Sequence, residues 1–421
     1  MKNVDVLVIG AGAAGLAAAA SVCDNGIDPQ KIVIVDRQDY AGGILMQCIH
    51  NGFGLHTFGE ELTGPEYAQR YIDIVNAKKI EMLLSSTVVD IINHDDCKEV
   101  IVISPRQGLL RVKTKAIILS MGCRERTRGS INIPGSRPAG IFTAGLVQKL
   151  VNMEGYMPGK EFVIVGSGDI GLIMARRLTL EGAKVKAVLE IQPYPGGLER
   201  NIVQCLDDFD IPLYTSHAVT NVIGTNRVKA VEVSELTGGK TLIPKMKIDC
   251  DTLMLSVGLI PENELSLTAG VKLNPATSGP FVSSDYMTNV KGIFACGNVL
   301  HVHDLVDFVS DESAACGKAV VEFISNNEIA SQDGNITVHS GNMVRYVVPA
   351  VVKHSQPAVL RLRPVNPLEN PRIKIISDTG TILADKKLQR AIPSEMITLN
   401  LNSVDSNTKS ITVCFEVKNG N

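Results

Sequence analysis

Two stretches of the chain run an uninterrupted apolar strand into a glycine turn and then a helix. In the first, Val4 to Ile9 predict a buried strand and Ala13 to Cys23 a helix of small residues; Ile32 to Val35 then make a second strand that ends at Asp36. In the second, Phe162 to Val165 are the strand, Ile170 to Glu181 the helix, and Val185 to Leu189 the following strand, ending at Glu190. Continuous apolar strands of this kind belong to parallel sheets covered on both faces. Between the two units lie alternating strands at Val88–Ile92, Glu99–Ser104 and Leu109–Lys113, then a buried one at Ala116–Met121. After the second unit come Val228–Val233, a buried strand Leu253–Val257, a strand Ile293–Cys296 and a helix near Asp311–Ile324. Ser325 to Asn335 is polar and reads as a linker. Beyond it the period drops to two: Leu360/Leu362, Ile373/Ile375, Ile397/Leu399/Leu401 and Ile411/Val413/Phe415/Val417 alternate with polar residues. The pattern predicts an α/β protein with two Rossmann-like dinucleotide-binding domains and a small C-terminal all-β domain, for which the alternation suggests a sandwich.

The glycine turns carry the chemistry. A single G-x-G-x-x-G is weak; a strand before it, a helix after it and an acid about 20 residues on give it force. Gly10, Gly12 and Gly15 have Asp36 at 21 residues past Gly15, and Gly166, Gly168 and Gly171 have Glu190 at 19 residues past Gly171. The first glycine permits the tight turn, the second lets backbone approach a pyrophosphate, and the third lets helix and strand pack closely. The helix starts, Ala13-Ala14 and Asp169-Ile170, offer free N–H groups and a positive dipole end to phosphate. The bland alternative is a glycine turn in an unrelated α/β fold; two complete copies argue against it. Glu190 also chooses between nucleotides. A carboxylate there accepts a 2′-hydroxyl and repels a 2′-phosphate, and Ile191 to Leu198 contain no Arg or Lys, so NAD(H) is favoured over NADP(H).

Composition narrows the function classes. A chain of 421 residues with 45% hydrophobic and 20% charged residues has room for two or three domains. A net charge of −3 gives no reason to expect nucleic acid or an anionic membrane as partner, and 4% aromatics without Trp supply no stacking platform. The run Val6–Val22 is broken by glycines and preceded by Asp5, so it is not read as a leader; no segment has the ~20 apolar residues of a membrane span. A cytoplasmic protein is expected. The nine cysteines are scattered, with no C-x-x-C pair, which fits reduced thiols and gives neither zinc spacing nor a disulfide framework.

With these residues in hand, the chain resembles the two-dinucleotide-binding-domain flavoproteins of the pyridine nucleotide-disulfide oxidoreductase superfamily. The likeness rests on both fingerprints, Ser120-Met121-Gly122, the return Gly258-Leu-Ile-Pro261 and Gly297-Asn298 after a buried strand, and it covers about residues 1–325. It implies an NAD domain inserted in an FAD domain: residues 1–124 and 259–325 for FAD, 125–258 for NAD, and 336–421 for the β domain. It further implies FAD at the first fingerprint, with Gly42, Gly43 and Gly122 beside it and Gly297-Asn298 at the ribityl chain; Gly258 belongs to the NAD side. The family usually has Asp where Asn298 stands, and an amide still hydrogen-bonds a hydroxyl. The dithiol of the disulfide reductases is missing, because Gly42-Gly43 leads only to a single Cys48. Gly122-Cys-Arg-Glu-Arg126, Ile133 to Ile141, Thr143-Ala-Gly145 and Arg200 to Leu206 resemble α subunits of heteromeric amine and imino-acid dehydrogenases, such as sarcosine oxidase, opine oxidase, hydrogen cyanide synthase and dye-linked proline dehydrogenase. Gly42 to Gly54 and Cys296 to His303 resemble flavoproteins that accompany glycerol-3-phosphate dehydrogenases.

Cys48, His50, His56, His301 and His303 fall in the two segments that this fold brings near a flavin. They are candidates for proton relay or, for Cys48, redox chemistry; hydrogen bonding around the cofactor is the competing and commoner role for such histidines. A metal site is set aside because His301-x-His303 has no third ligand at an obvious spacing. The run Arg124–Arg128 reads equally as a nucleotide-phosphate contact or a solvated strand. A helix starting at Ser310, with Asp311 and Glu312 in its first turn, would point its positive end at the flavin. The resemblance thus implies an FAD-dependent, NAD(H)-linked dehydrogenase, exchanging hydride between nicotinamide and flavin and working with a partner subunit that oxidises glycerol 3-phosphate or an amine or imino acid. Two other readings stand beside it: a self-sufficient oxidoreductase with its own small substrate, and a scaffold subunit with a non-redox NAD site.

Overall fold

The computed structural model describes residues 2–239, 241–326, 335–354, 356–402, 404–405 and 407–416. The chain divides into two compact units, Met1–Cys123 with Pro261–Asn421, and Arg124–Ile260 between them in sequence.

The first unit is built on a five-stranded parallel sheet in the order Ile293–Ala295, Ala116–Leu119, Val6–Ile9, Ile32–Val35, Glu81–Leu83. Its inner strands are apolar at every position because both faces are covered. The expected Val4–Ile9 strand starts two residues late, since Lys2–Asn3 pairs with the neighbouring strand Gly108–Thr114 instead. The helix Ala13–Asp24 is rich in alanine because another helix, Val306–Asn326, crosses close against it. At the crossing a Cβ on Gly317 would stand 2.6 Å from the Ala18 carbonyl oxygen, and Ser21 Oγ donates to the Ala314 carbonyl at 2.6 Å.

That second helix corrects an expectation. It begins at Val306, with Asp307 as the first-turn acid, so Ser310 does not cap it. Ser310 is buried inside the helix and receives a 2.7 Å hydrogen bond from the Tyr67 hydroxyl.

The C-terminal part of this unit is all β. A five-stranded sheet (Val351–Lys353, Asn335–Ser340, Ser410–Glu416, Arg372–Ser377, Ile382–Lys387) and a three-stranded one (Val344–Val348, Ala358–Pro364, Ile397–Leu401) share one core, including Ile336, Leu360, Leu362, Ile373, Leu399 and Phe415. Most of the linker read at Ser325–Asn335, and the last alternating position, Val417, lie outside the described residues.

The second unit repeats the first one's plan. Its parallel sheet runs Ile141–Thr143, Thr252–Leu255, Glu161–Val165, Lys184–Glu190, Leu213–Thr215. Beside it lies an antiparallel sheet of His217–Gly224, Val228–Thr237 and Thr241–Asp249, of which sequence reading found only the middle strand. Among the described residues no helix is long and apolar enough to cross a membrane.

Candidate dinucleotide sites and the histidine cluster

Each fingerprint sits where its strand meets its helix, and the three glycines of each copy meet different constraints. A Cβ on Gly10 (φ +109°) would lie 2.5 Å from the Ser120 carbonyl oxygen, and one on Gly166 (φ +93°) 2.0 Å from that of Ser256. A Cβ on Gly15 would be 1.7 Å from the Gly10 carbonyl oxygen, and one on Gly171 2.8 Å from that of Gly166. These four glycines are therefore demanded by the protein's own backbone. Gly12 and Gly168 are not: a Cβ there meets nothing within 4 Å. Their lack of a side chain leaves space at the helix start, which is where a pyrophosphate would need it. No side chain caps either helix, and the first intrahelical bonds run from Leu16 to Gly12 and from Leu172 to Gly168. The N–H groups of Ala13, Ala14 and Gly15, and of Asp169, Ile170 and Gly171, thus have no acceptor within their helices.

The acids occupy matching places. Asp36 Oδ2 accepts from Ala11 N at 2.6 Å and Oδ1 from Gln38 N at 2.8 Å. Glu190 Oε2 accepts from Ser167 N at 3.0 Å and Ser167 Oγ at 2.7 Å, and Oε1 from Gln192 N at 2.9 Å. Asp169 differs from its alanine counterpart: its carboxylate is turned to Leu198 N (2.8 Å) and Asn201 Nδ2 (2.6 Å). Gly258, past the return strand of this unit, accepts the Arg126 N–H at 3.0 Å. Arg128 donates to the carbonyls of Ile133, Pro134 and Ser136, which engages it in a turn of its own unit.

In the first unit Gly42 N donates to Ala11 O at 2.8 Å, and a Cβ on Gly43 would stand 3.1 Å from Gly12 Cα. The Gly42–Gly43 turn therefore borders the space above Gly12. Gly122 follows the return strand and accepts from Glu262 N at 3.0 Å. Gly297 packs so closely that a Cβ would be 2.6 Å from that of Ala14. Asn298 Oδ1 accepts from His303 N at 3.0 Å, and its Nδ2 lies 3.8 Å from Cys123 Sγ.

The candidate catalytic residues fall into two groups. Cys48 Sγ contacts the Ile44 carbonyl at 3.3 Å; His50 lies beside Phe53 with ring centroids 5.0 Å apart, and burial lowers its pKa. His56 stacks on Phe308 at 5.6 Å. The buried Asp307 ties this loop to the Val306–Asn326 helix by accepting from Gly54 N (3.1 Å) and Thr57 N (2.8 Å), a role that no sequence signal announced.

The other group is interior. His301 and His303 rings are 4.3 Å apart, and both meet Glu312, whose side chain is fully buried. Glu312 Oε1 accepts the Gly297 N–H at 2.9 Å and Oε2 accepts from His301 Nε2 at 2.8 Å. His303 Nε2 stands 3.4 Å from the same oxygen, and Arg361 of the β domain 3.3 Å from it. Burial holds His301 down at about 4 against the pull of Glu312, so it is neutral near pH 7. For Glu312 burial works upward, but His301 and His303 outweigh it and keep the carboxyl well below its ordinary range. The third ligand whose absence argued against a metal is present after all: ligand atoms of His301, His303 and Glu312 lie within 4.8 Å of one another. Arg361 changes the balance, because its guanidinium already supplies the positive charge beside Glu312 and opposes a divalent cation there.

Two glycine cradles, each at a helix start and each with an acid at the end of the adjoining strand, have the form of the turns by which dinucleotide-dependent oxidoreductases hold pyrophosphate. The chain belongs to the pyridine nucleotide-disulphide oxidoreductase family, whose model matches residues 4–326. Members of this family bind FAD and use NAD(P)H, and the open cradles above Gly12 and Gly168 fit such groups. Among relatives, it is 24% identical over 315 residues to an opine oxidase subunit from Agrobacterium tumefaciens, covering 70% of this chain and 61% of that one. It is 26% identical over 309 residues to the alpha subunit of sarcosine oxidase from Corynebacterium sp., covering 68% of this chain but 30% of that one. The thioredoxin reductase of T. acidophilum has the same fold, with a TM-score of 0.62 at 23% identity, over 78% of this chain and all (100%) of that one.

Proposed function

We propose that the chain is an FAD-dependent, NAD(H)-linked dehydrogenase that serves as the NADH-handling subunit of a heteromeric enzyme. In this reading residues 1–124 and 259–325 bind FAD, 125–258 bind NAD, and 336–421 form an accessory domain. Bound FAD would supply the two-electron chemistry, exchanging hydride with the nicotinamide. The chain's residues bind and orient. Ala13, Ala14 and Gly15 present N–H groups to the FAD pyrophosphate, with Asp36 at its ribose; Asp169, Ile170, Gly171 and Glu190 do the same for NAD. The carrying observation is that both acids sit in the same hydrogen-bonded position beside an open cradle. NAD(H) follows from Glu190, which would repel a 2′-phosphate.

The subunit role is supported by two relatives that are themselves subunits, one of opine oxidase and one of sarcosine oxidase, neither of which this chain spans fully. The partner would oxidise an amine, an imino acid or glycerol 3-phosphate. Of the candidate catalytic group, Cys48 and His50 keep a role beside the flavin, whereas His301 and His303 act through Glu312. The test is a turnover assay on the purified chain. NADH–dye reductase activity with little dehydrogenation of these substrates, restored on adding a partner, is the expected outcome. Turnover of one such substrate by the lone chain at ~1–10³ s⁻¹ would replace the subunit reading with a self-sufficient enzyme.

A further inference from the structure

The buried carboxylate of Glu312 is bonded to the backbone of the turn that faces the proposed FAD site, and its permanent counter-charge comes from another domain. Arg361 and Arg363 lie two residues apart on the strand Ala358–Pro364 and so share a face. Arg361 Nη1 is 3.3 Å from Glu312 Oε2, with its side chain 12% exposed. Arg363 donates to the Val302 carbonyl at 3.1 Å, to Asp304, and to the Pro393 carbonyl at 3.0 Å, while its Nε donates to the Tyr346 hydroxyl at 3.0 Å. Asp304 also accepts the Met396 N–H at 2.7 Å. The β domain thereby holds the Val302–Asp304 end of this segment directly, and at the other end it meets, through Arg361, the helix carboxylate that bonds Gly297.

We propose that the C-terminal β domain positions the flavin-facing turn, Arg361 balancing the Glu312 carboxylate that holds Gly297 and Arg363 fixing Val302 and Asp304. This rests on the reading of Gly297-Asn298 as the FAD turn. A fully buried carboxylate is costly unless its charge is met. His301 donates one hydrogen bond to it, and the Arg361 guanidinium is the group beside it whose charge does not depend on pH. Gly297 in turn packs on Ala14, in the first turn of the fingerprint helix, and any shift of the turn disturbs the FAD cradle directly. Arg361 and Arg363 are positioning residues.

The experiment uses the full chain, stripped of flavin and titrated with FAD, followed by a measurement of the bound flavin's midpoint potential. Arg361→Met should bind FAD roughly tenfold or more weakly, because it leaves a buried charge unmet. Its flavin potential should fall, since an unbalanced carboxylate nearby disfavours added electrons. Arg361→Met combined with Glu312→Gln removes both charges and should bring the potential back toward wild type, which a packing role alone would not do. Arg361→Met with wild-type affinity and potential and only a lower melting temperature overturns the proposal. Should that variant not fold, Arg361→Lys and Arg363→Met decide. Arg361→Lys keeps the charge and should bind FAD more tightly than Arg363→Met, which should weaken binding several-fold; wild-type affinity in Arg363→Met overturns the proposal. A wild-type chain that takes up no FAD would instead refute the cofactor reading itself.

Discussion

The two fingerprints are one device built twice, and the differences between them are as informative as the match. In both, the first glycine N–H bonds the neighbouring strand (Gly10 to Val35 at 2.8 Å, Gly166 to Leu189 at 2.7 Å), and the strand's acid reaches back to the next residue's N–H. The first copy has no acid in its helix's first turn, and its helix is pressed against a second one. The second has Asp169 in that turn and a longer acid, Glu190, held by the Ser167 hydroxyl as well. In the proposed reading the first arrangement, with no acid in that turn, suits a cofactor that stays bound. In the same reading the second sets the Asp169 carboxylate, held by Leu198 N and Asn201 Nδ2, in the first turn, where its charge opposes a bound anion and suits a nucleotide that comes and goes.

The sharpest way to break this comparison is at the middle glycines, where a side chain meets no protein atom. Gly12→Val should fold and lose nearly all its FAD, seen as a colourless protein. Gly168→Val should stay yellow while its flavin is reduced by NADH about tenfold or more slowly, the order expected for loss of a pyrophosphate contact. Full flavin content in Gly12→Val, or an undiminished NADH rate in Gly168→Val, would show that the cradles do something else.

Acid should also separate the copies. His301 in the first unit is held at about 4 by burial, with Glu312 attracting its proton and His303 and Arg361 opposing it. Its folded pKa lies below the unfolded value of about 6.5, so its share of stability is present above that pH and is lost as pH falls toward 4. A shift of that size is worth about 3 kcal/mol. Flavin release on heating should therefore move to lower temperature between pH 6.5 and 4.5, and His301→Gln, which keeps a donor to Glu312, should flatten that slope. A melting temperature constant over this window in the wild type would remove His301 from the argument.

What the sequence disclosed follows from how local each signal is. Both cradles were legible because a glycine's duty is set within a few residues and by one adjoining strand. The start of the Val306–Asn326 helix was not, because Ser310 looks like a cap until Tyr67, distant in sequence, is seen to bond it. Glu312 could not be tied to His301 and His303 from spacing, since the turn between Gly297 and Val306 sets their approach, and Arg361 arrives from another domain. The strand Thr241–Asp249 was missed for a different reason. It is exposed over its first five residues, and the alternation it carries, Met246 and Ile248 between Lys245, Lys247 and Asp249, is short and begins only after Pro244.

The smallest effect concerns nucleotide choice, where the two acids differ most. Glu190 already accepts three hydrogen bonds from Ser167 and Gln192. A carboxylate offers about four acceptor sites, which leaves about one for a ribose hydroxyl. Its charge, more than that single bond, should carry the discrimination, because a 2′-phosphate would be brought against it at close range. Glu190→Arg reverses the charge, and the NADH-to-NADPH ratio of flavin reduction rates should fall about tenfold, or 1.4 kcal/mol. The ratio is the quantity to follow, since Ser167 N and Gln192 N lose their acceptor in the variant and both rates will drop. Glu190→Gln keeps the acceptor and removes the charge, so it should shift the ratio less. Asp36→Arg should reduce FAD content yet leave the ratio unchanged in whatever flavoprotein remains. Equal wild-type rates with the two nucleotides would end the assignment of Glu190, and a ratio altered by Asp36→Arg would mean that the two copies do not divide the cofactors as proposed.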